Sequence, residues 1–403
     1  MQEPTENLMG KGRARLRVAA VLSVAAGLID GAASASPFPS FQVGIISFLD
    51  GPVPADEIIP EVPVDGIPPL FDPLFVAVEE SSYGDDDMVG GVAIDGEAFA
   101  YPFSIMNFHE LVEHDIAGHR MVTTYCPLTN SAALFEAADI DFGNTGSLFN
   151  NNVVMYDRET FITWSQMALG SIFGDRAGEH LTPLPVSQTT LGIWKQLHPG
   201  TRVLSEETGF SGRNYLSNVF VDFGYTEDTR IFFPQTPEID SRRHPKEMVF
   251  GLARGDGTSI AFMYSDLAEI RVANQVFDGN DIVVFYEPQS RLAQGYLRES
   301  GDQLLHFFCS GVDGRNALSL FEDVETGSTW NVKGEATLGP LAGQRLVQIG
   351  TYSAYWFGWA SFWPLTEIWD GSNIQPPTAI EDESWGSIKS TIISGAGMES
   401  ASP

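Results

Sequence analysis

Short stretches of alternating or continuous hydrophobic residues run along this chain, separated by Gly, Pro and Asx residues. Val92-Ala93-Ile94 precedes Asp95-Gly96, and a second apolar stretch, Ala98–Tyr101, follows. Two such stretches joined by Asp-Gly predict a β-hairpin with a two-residue turn. Apolar residues then recur at three- and four-residue spacing over Phe103–Val112, which predicts a short helix after Pro102.

Similar patterns recur further along the chain. Met121–Cys126 is apolar or β-branched, which predicts a buried strand ended by Pro127. Val153–Tyr156 and Phe161–Trp164 predict another hairpin, and Thr189–Leu197 predicts a short helix. The expected fold is mostly β (α+β), an antiparallel or mixed sheet with a few short covering helices.

An internal repeat is the most informative feature of the sequence. Residues 90–132 match the chain 161 positions further on without a gap, and later residues match at an offset of 165 or 166. The matched pairs include Gly90 with Gly251, Ala100 with Ala261, Tyr125 with Tyr286, Trp164 with Trp330, Trp194 with Trp359, and Pro199 with Pro364. We therefore expect an internally duplicated unit.

The repeat and its flanking segments divide the chain into six parts. We expect a signal peptide (1–36), an extended N-terminal segment (37–87), copy A (88–204), a packed connector (205–247), copy B (248–370) and a disordered tail (371–403). The connector is too rich in aromatic residues to be a flexible linker, whereas the tail is polar and small.

The first 36 residues have the layout of a secretory signal peptide. Basic residues from Lys11 to Arg17 precede the apolar stretch Val18–Leu28, and Ala33-Ser34-Ala35 forms an A-x-A cleavage site. The apolar stretch is too short to cross a bilayer, and no later segment is suitable. We expect an exported protein, periplasmic or extracellular, without stable membrane insertion.

The net charge of the chain limits the kinds of partner that it can bind. It has 22 Lys and Arg against 53 Asp and Glu, a formal net charge of −31. Such a surface repels nucleic acid and anionic lipid, so we expect no nucleic-acid partner. The two cysteines, Cys126 and Cys309, do not occupy matching positions in the two copies. A disulfide between them stays open, and Cys126 is treated as free.

Copy A contains the densest group of reactive side chains. His109 and Glu110 lie on the predicted helix, and Cys126 ends the strand that follows. A Cys thiolate needs a base or a cation to form at neutral pH, and a neighbouring His can supply either. The predicted catalytic residues are therefore Cys126, His109 and Glu110, with Glu110 as an orienting carboxylate.

The same residues also suit a metal ion. Cys126 and His109 are soft ligands, and Met155 offers a third, so reduced copper fits better than calcium or magnesium. In copy B, Ile270, Glu287 and Phe321 take the positions of His109, Cys126 and Met155. This loss is expected if the reactive residues are dispensable for folding. It equally fits a Cys126 and a Met155 that only fill the core.

Several common sites are excluded by the sequence. His109 and His114 resemble a zincin pair, but a spacing of five places them on different faces of a helix. The chain contains no G-x-S-x-G elbow, no Walker loop and no dinucleotide fingerprint ahead of a helix. These absences remove the common hydrolase, nucleotide-binding and dehydrogenase motifs.

Several sequence blocks resemble the bacterial and archaeal family known as domain of unknown function 3179. They include Asp65–Pro68, Asn107–Glu110, Thr124–Leu128, Asn152–Thr160, His244–Glu247 and Phe357–Thr366. The resemblance covers about residues 55–370 and implies no established activity. Many members carry a second Cys where this chain has Thr129, so this departure weakens a dithiol redox role.

Two functions of different classes stay open. The first is a thiol-dependent small-molecule or metal site in copy A, with a small molecule or a metal ion as partner. The second is a non-catalytic binding or scaffold domain. Neither the substrate, the metal nor the oligomeric state follows from the sequence.

Overall fold

Asp95 and Gly96 have φ angles of 46° and 88°, which are typical of the two central residues of a type I′ hairpin turn. The strands Met88–Ile94 and Glu97–Pro102 pair in antiparallel register on either side. A helix, Phe103–His109, follows directly. The predicted hairpin and helix are confirmed, although the helix ends three residues earlier than expected.

The early end of this helix has a local cause. Glu110 adopts a left-handed conformation (φ 57°), and its N–H donates to the carbonyl of Met106. A residue in this conformation stops the helix and redirects the chain. The next residues therefore enter a strand, Leu111–Ile116.

The computed structural model of the protein describes residues 53–138, 140–222, 224–254, 257–310 and 320–374. These residues belong to one compact unit. The predicted signal peptide, residues 37–52 of the extended segment and residues 375–403 of the predicted tail lie outside them. The fold described below therefore concerns the two copies, the connector and their nearest flanking residues.

Short elements precede the hairpin. They are the 3₁₀ helices Ala55–Glu57 and Val78–Glu80 and the strands β1 (Ile58–Pro60), β2 (Leu70–Phe71) and β3 (Phe75–Ala77). The strands of the first half are β4 (Met88–Ile94), β5 (Glu97–Pro102), β6 (Leu111–Ile116), β7 (His119–Cys126), β8 (Ser131–Glu136), β9 (Phe142–Phe149), β10 (Asn152–Asp157), β11 (Thr163–Ser165), β12 (Gly170–Phe173), β13 (Pro183–Leu184), β14 (Ser187–Thr190) and β15 (Arg202–Leu204). Its helices are α1 (Phe103–His109) and α2 (Leu191–Leu197), and α3 (Val219–Asp222) lies in the connector.

The second half contains the same kinds of element. Its strands are β16 (Met248–Ala253), β17 (Ser259–Met263), β18 (Val272–Phe277), β19 (Asn280–Glu287), β20 (Leu292–Leu297), β21 (Glu299–Ser300), β22 (Gln303–Leu304), β23 (Phe307–Cys309), β24 (Phe321–Asp323), β25 (Thr329–Trp330), β26 (Ala336–Leu338), β27 (Tyr352–Tyr355) and β28 (Glu367–Ile368). Its helices are α4 (Tyr264–Ile270) and α5 (Trp356–Phe362).

The strands form antiparallel and mixed sheets, as the sequence predicts. In the first half the strand orders are β14-β4-β5-β15-β3, β13-β8-β7-β6-β2 and β1-β9-β10-β11-β12. In the second half they are β27-β16-β17-β28, β18-β19-β20, β23-β24-β25-β26 and the pair β21-β22. Strand β15 pairs in parallel with β5, and β28 pairs in parallel with β17.

Element order and strand pairing agree between the two halves. The series β14-β4-β5-β15 corresponds to β27-β16-β17-β28, β6-β7-β8 to β18-β19-β20, and β10-β11-β12 to β24-β25-β26. Helices α1 and α4 follow equivalent hairpins, and α2 and α5 follow equivalent edge strands. These parallels support an internal duplication, which itself stays a prediction.

One matched pair from the sequence is wrong by a single residue. Strand register places Ser187 opposite Gly91 and Tyr352 opposite Gly251, so Gly251 corresponds to Gly91 and not to Gly90. Packing gives the same answer. A Cβ on Gly91 would lie 2.4 Å from the Trp194 ring, and a Cβ on Gly251 would lie 2.2 Å from the Trp359 ring. Both positions thus require glycine beside an equivalent tryptophan.

The largest cluster of buried hydrophobic residues is shared by both halves. It combines Trp164 and Phe135 of the first half with Trp356, Trp359 and other aromatic residues of α5. Trp164 and Trp330 are both buried, as expected for core residues. The connector also packs, because Tyr215 and Tyr225 are buried.

Candidate functional sites

Cys126 lies at the end of β7, where three parts of the chain meet. The turn after it receives a hydrogen bond from the Tyr225 hydroxyl to the Leu128 carbonyl (3.1 Å) and one from the Tyr355 N–H to the Thr129 carbonyl (2.7 Å). The Cys126 thiol donates to the Asn151 carbonyl at 3.5 Å and has no exposed surface. Copy A, the connector and copy B therefore enclose this thiol.

The surroundings of Cys126 keep the thiol protonated. Burial, together with the nearby charge of Glu110, raises the pKa of Cys126 to about 11. A protonated, inaccessible thiol is a weak nucleophile and a weak metal ligand. Both cysteines are free, so the possible disulfide does not form in this structure.

Glu110 is the titratable group that the structure brings electrostatically close to Cys126. Its carboxylate is buried and accepts a hydrogen bond from the Asn144 side-chain amide at 2.7 Å. Burial raises the pKa of Glu110 to about 7 in spite of this hydrogen bond. A carboxyl group with this pKa can accept or donate a proton near neutral pH.

The strained backbone of Glu110 belongs to the fold rather than to a site. Its counterpart Arg271 also has a positive φ, 67°, and its N–H likewise donates to the helix, at the Leu267 carbonyl. The carbonyls of both residues accept from the equivalent N–H groups of Tyr125 and Tyr286. Arg271 therefore keeps the positive φ of Glu110 but not its carboxyl group.

His109 makes a separate set of contacts. One ring nitrogen bonds the Pro68 carbonyl at 2.8 Å, and the other bonds the Tyr215 hydroxyl at 2.6 Å. Burial, opposed by the Pro68 contact and assisted by the Arg213 charge, lowers the pKa of His109 to about 4. Within the described ranges no hydrogen bond joins His109 to Cys126, so the structure does not bring this predicted pair together directly.

Met155 occupies the middle of β10 and is fully buried in the same hydrophobic cluster as Cys126. His109 would have to release Pro68 or Tyr215 to coordinate a metal. Among the described residues no group of three or more His, Cys, Asp or Glu side chains is placed to hold a metal ion. The geometry thus gives the predicted copper site no support beyond the membership of Met155 and Cys126 in one hydrophobic cluster.

Thr129 takes part in a buried polar network. Its hydroxyl contacts Ser131 and receives a hydrogen bond from Asn152, while Gln166 accepts from both Ser131 and Asn152. Gly358 of α5 packs against it, since a Cβ there would lie 2.9 Å from the Thr129 methyl group. Thr129 therefore fixes the turn after Cys126 against the second half.

The halves meet at two equivalent places. At one, β27 of the second half lies against β8 of the first, and at the other β14 of the first half lies against β20 of the second. We name the first the packed interface, with Tyr352, Trp359, Trp363 and Phe135. We name the second the open interface, with their counterparts Ser187, Trp194, His198 and Tyr296.

Two contacts recur at both interfaces and support their equivalence. Trp359 donates through Nε1 to the Thr366 hydroxyl at 3.0 Å, and Trp194 donates to the Thr201 hydroxyl at 2.9 Å. Each tryptophan ring also packs, in a tilted arrangement, against the ring of the residue that caps its helix. The ring centroids are 5.6 Å apart for Trp359 and Trp363, and 4.1 Å apart for Trp194 and His198.

Large aromatic side chains fill the packed interface. The Trp363 indole donates to the Tyr352 hydroxyl at 2.9 Å, and this hydroxyl donates to the Met167 carbonyl at 3.2 Å. At the open interface the two aromatic positions hold the smaller Ser187 and His198. A cavity of about 460 Å³ lies there, which we name the interface cavity. Ser187 and His198, which stand where the packed interface has two large aromatic residues, both line it.

The walls of the interface cavity are polar where the packed interface is apolar. Gln294, which replaces Ala133, donates to the Ser187 hydroxyl and accepts from Gln348. The turn after β25 brings in Lys333 and Glu335, whereas the turn after β11 carries Met167 and Leu169. The cavity therefore offers amide, hydroxyl and charged groups at positions that are hydrophobic in the other interface.

The charges at the interface cavity are balanced. Glu335 pairs with Lys333 at 3.2 Å and with Arg345 at 2.8 Å. Although burial opposes it, hydrogen bonds from Asn331 and Lys333 hold the pKa of Glu335 below its ordinary value. Burial, with the Lys333 charge, lowers the pKa of His198 to about 4, so its ring is neutral. Asp95 at the rim offsets the remaining positive charge.

The interface cavity could have been located from the sequence. At the offset that aligns Trp194 with Trp359, Ser187 falls opposite Tyr352 and His198 opposite Trp363. The replacement of two aromatic residues by smaller ones at the same interface predicts a cavity there. Tyr215, Arg213 and Asn144, by contrast, carry no pattern that links them to His109 or Glu110.

Comparison with known proteins gives a family but no activity. The family described as "Protein of unknown function (DUF3179)" matches residues 64–366, well over half of the chain. No curated protein and no solved structure matches the chain. Among the described residues, the helices are all too short or too polar to cross a membrane.

Proposed function

Since the chain belongs to the DUF3179 family, whose description names no activity, we propose from the open interface that the protein binds a small, neutral, hydroxylated molecule. The observation that carries the proposal is the interface cavity, which lies where the packed interface holds Tyr352 and Trp363. Its volume of about 460 Å³ falls in the range of small-molecule sites.

The chemistry of the walls supports this ligand class. Ser187, Gln294 and Gln348 supply both donors and acceptors, which suit the hydroxyl groups of a polyol or a sugar. Lys333 and Arg345 are balanced by Glu335 and Asp95, so the cavity has no excess charge to attract an ion. The net charge of −31 further disfavours anions.

A panel of neutral mono- and disaccharides, polyols and matched sugar acids tests the proposal. Isothermal titration should detect at least one neutral compound. Ser187→Tyr/His198→Trp, which copies the packed interface, should weaken that binding at least tenfold. Leu338→Trp, an exposed strand residue outside the cavity, is the control and should bind normally. Unchanged binding in the double variant, or no binding by any neutral compound, would contradict the proposal.

Thiol chemistry at Cys126 is a second candidate function, and one observation favours it. Glu110 lies near Cys126 and its pKa is about 7, so it could accept the thiol proton once a ligand opens the site. Alkylation of Cys126 should then be slow in the free protein and should slow further in Glu110→Gln, because the base is lost. Faster alkylation in Glu110→Gln would contradict this function, since it would show that the Glu110 charge only adds to the effect of burial in raising the pKa of the thiol. Cys126→Ser should fold and keep sugar binding, because the thiol does not line the interface cavity.

We also propose that the protein is exported. The basic residues, apolar stretch and A-x-A site within residues 1–36 support this proposal. N-terminal sequencing of protein from the native cell should find a mature chain that begins near Ser36. An intact Met1 on the soluble protein inside the cell would contradict it.

A further inference from the structure

A second cavity is lined by Trp363 of the packed interface and shares no lining residue with the interface cavity. Its volume is about 220 Å³, and we name it the aromatic cleft. Phe149 at the end of β9 and Phe362 and Trp363 at the end of α5 form its apolar wall. The rings of Phe149 and Phe362 meet edge to face, with centroids 5.4 Å apart.

The rim of the aromatic cleft carries a carboxylate that none of the described residues neutralises. Glu57 and Glu179 both line the cleft. Arg176 pairs with Glu179 at 2.6 Å. The carboxylate of Glu57, in contrast, has no hydrogen bond or ion pair with any described residue. The rim therefore has one negative charge available to a ligand.

His180 adds a neutral polar group to the same rim. Its Nδ1 is buried and has no hydrogen-bond partner within the described part of the chain. Burial lowers the pKa of His180, so the ring carries no positive charge at neutral pH. It therefore leaves the charge of Glu57 uncompensated. At the equivalent position the second half has Arg345, whose charge pairs with Glu335.

Aromatic walls beside an unpaired carboxylate fit one class of ligand. Aromatic faces attract cations as well as apolar groups, and the carboxylate attracts a positive charge directly. The net charge of −31 raises the local concentration of cations around the whole protein. We propose that the aromatic cleft binds a small organic ammonium ion with an apolar body.

Two probes of nearly equal shape test this inference: 2-phenylethylammonium and neutral 2-phenylethanol. Titration at a fixed moderate ionic strength should show the ammonium ion binding at least fivefold more tightly than the alcohol. Glu57→Gln should bring the affinity for the ammonium ion down to that for the alcohol, and should leave the alcohol unchanged. Glu79→Gln removes an exposed carboxylate outside the cleft and should change the affinity for neither probe. This control separates the effect of the Glu57 charge from the effect of the net charge of the protein.

Two outcomes would overturn the inference. One is equal affinity for the two probes, which would make the cleft a purely apolar pocket. The other is an equal loss of ammonium binding in Glu57→Gln and Glu79→Gln, which would assign the binding to net charge alone. The Ser187→Tyr/His198→Trp variant should bind the ammonium ion normally, so failure at one cavity does not decide the other.

Discussion

The two interfaces between the halves use equivalent strands and helices but differ in what fills them. At the packed interface Trp363 and Tyr352 close the space, and their polar atoms satisfy each other. At the open interface His198 and Ser187 leave a cavity of about 460 Å³. If large aromatic side chains also filled the open interface, the protein would be more stable, because cavities cost free energy. The packed interface therefore contributes stability, whereas the open interface provides space for a ligand.

The largest predicted effect concerns the packed interface. Trp363→His introduces the residue of the open interface, leaves a cavity, and removes the hydrogen bond that the indole donates to the Tyr352 hydroxyl. We expect the free energy of unfolding to fall by about 3–5 kcal/mol, the usual cost of removing a buried tryptophan. Urea denaturation measures it. A loss below about 1 kcal/mol would show that the two interfaces do not differ in packing.

A second prediction concerns the ends of α1 and α4, where Glu110 corresponds to Arg271. The folded pKa of Glu110 is about 7, above the ordinary 4.5. The folded protein thus retains a proton that the unfolded chain releases, and the free energy of unfolding falls as pH rises from 4.5 to 7. The loss is about 3 kcal/mol.

Glu110→Gln should remove this part of the pH dependence, because an amide stays neutral. At pH 8 the variant should be more stable than the wild-type protein, and at pH 4 nearly equal to it. Denaturation at pH 4 and at pH 8 measures the difference in stability between the variant and the wild-type protein. A variant that is less stable at pH 8 would show that the ionised carboxylate is stabilised in the fold.

The smallest predicted effect is a difference of about 2 kcal/mol between substitutions at the two glycines beside the tryptophans. A methyl group at Gly251 would collide with Trp359 in the packed interface, and one at Gly91 would collide with Trp194. Trp194 lines a cavity into which it can shift, whereas Trp359 has no such space. We expect Gly251→Ala to cost about 3 kcal/mol and Gly91→Ala about 1 kcal/mol. Equal costs in thermal denaturation would mean that the cavity gives Trp194 no freedom.

Local patterns in the sequence predict much of the fold. Asp95-Gly96 predicts its own turn, because few residue pairs accept two positive φ angles. The alternating stretches predict the strands on either side. The predicted end of α1 is wrong because the residue type of Glu110 does not indicate that it adopts a left-handed conformation. The helix predicted over Thr189–Leu197 begins at Leu191, since Ser187–Thr190 pairs with β4.

The candidate site was harder to predict than the fold, since it depends on contacts between distant segments. The sequence places His109 and Cys126 on neighbouring elements, but it does not show that Pro68 and Tyr215 occupy both ring nitrogens of His109. Glu110 is predicted as an orienting residue, and the sequence does not show that burial, together with the charge of Glu110, raises the pKa of Cys126. Burial of this kind depends on packing between the halves and the connector.

The most direct test of the central claim is a crystal structure of the protein with the tightest neutral compound from the panel. We expect electron density for the compound in the interface cavity, with its hydroxyl groups in contact with Ser187, Gln294 or Gln348. Density only elsewhere on the protein, with an unoccupied interface cavity at saturating ligand, would contradict it.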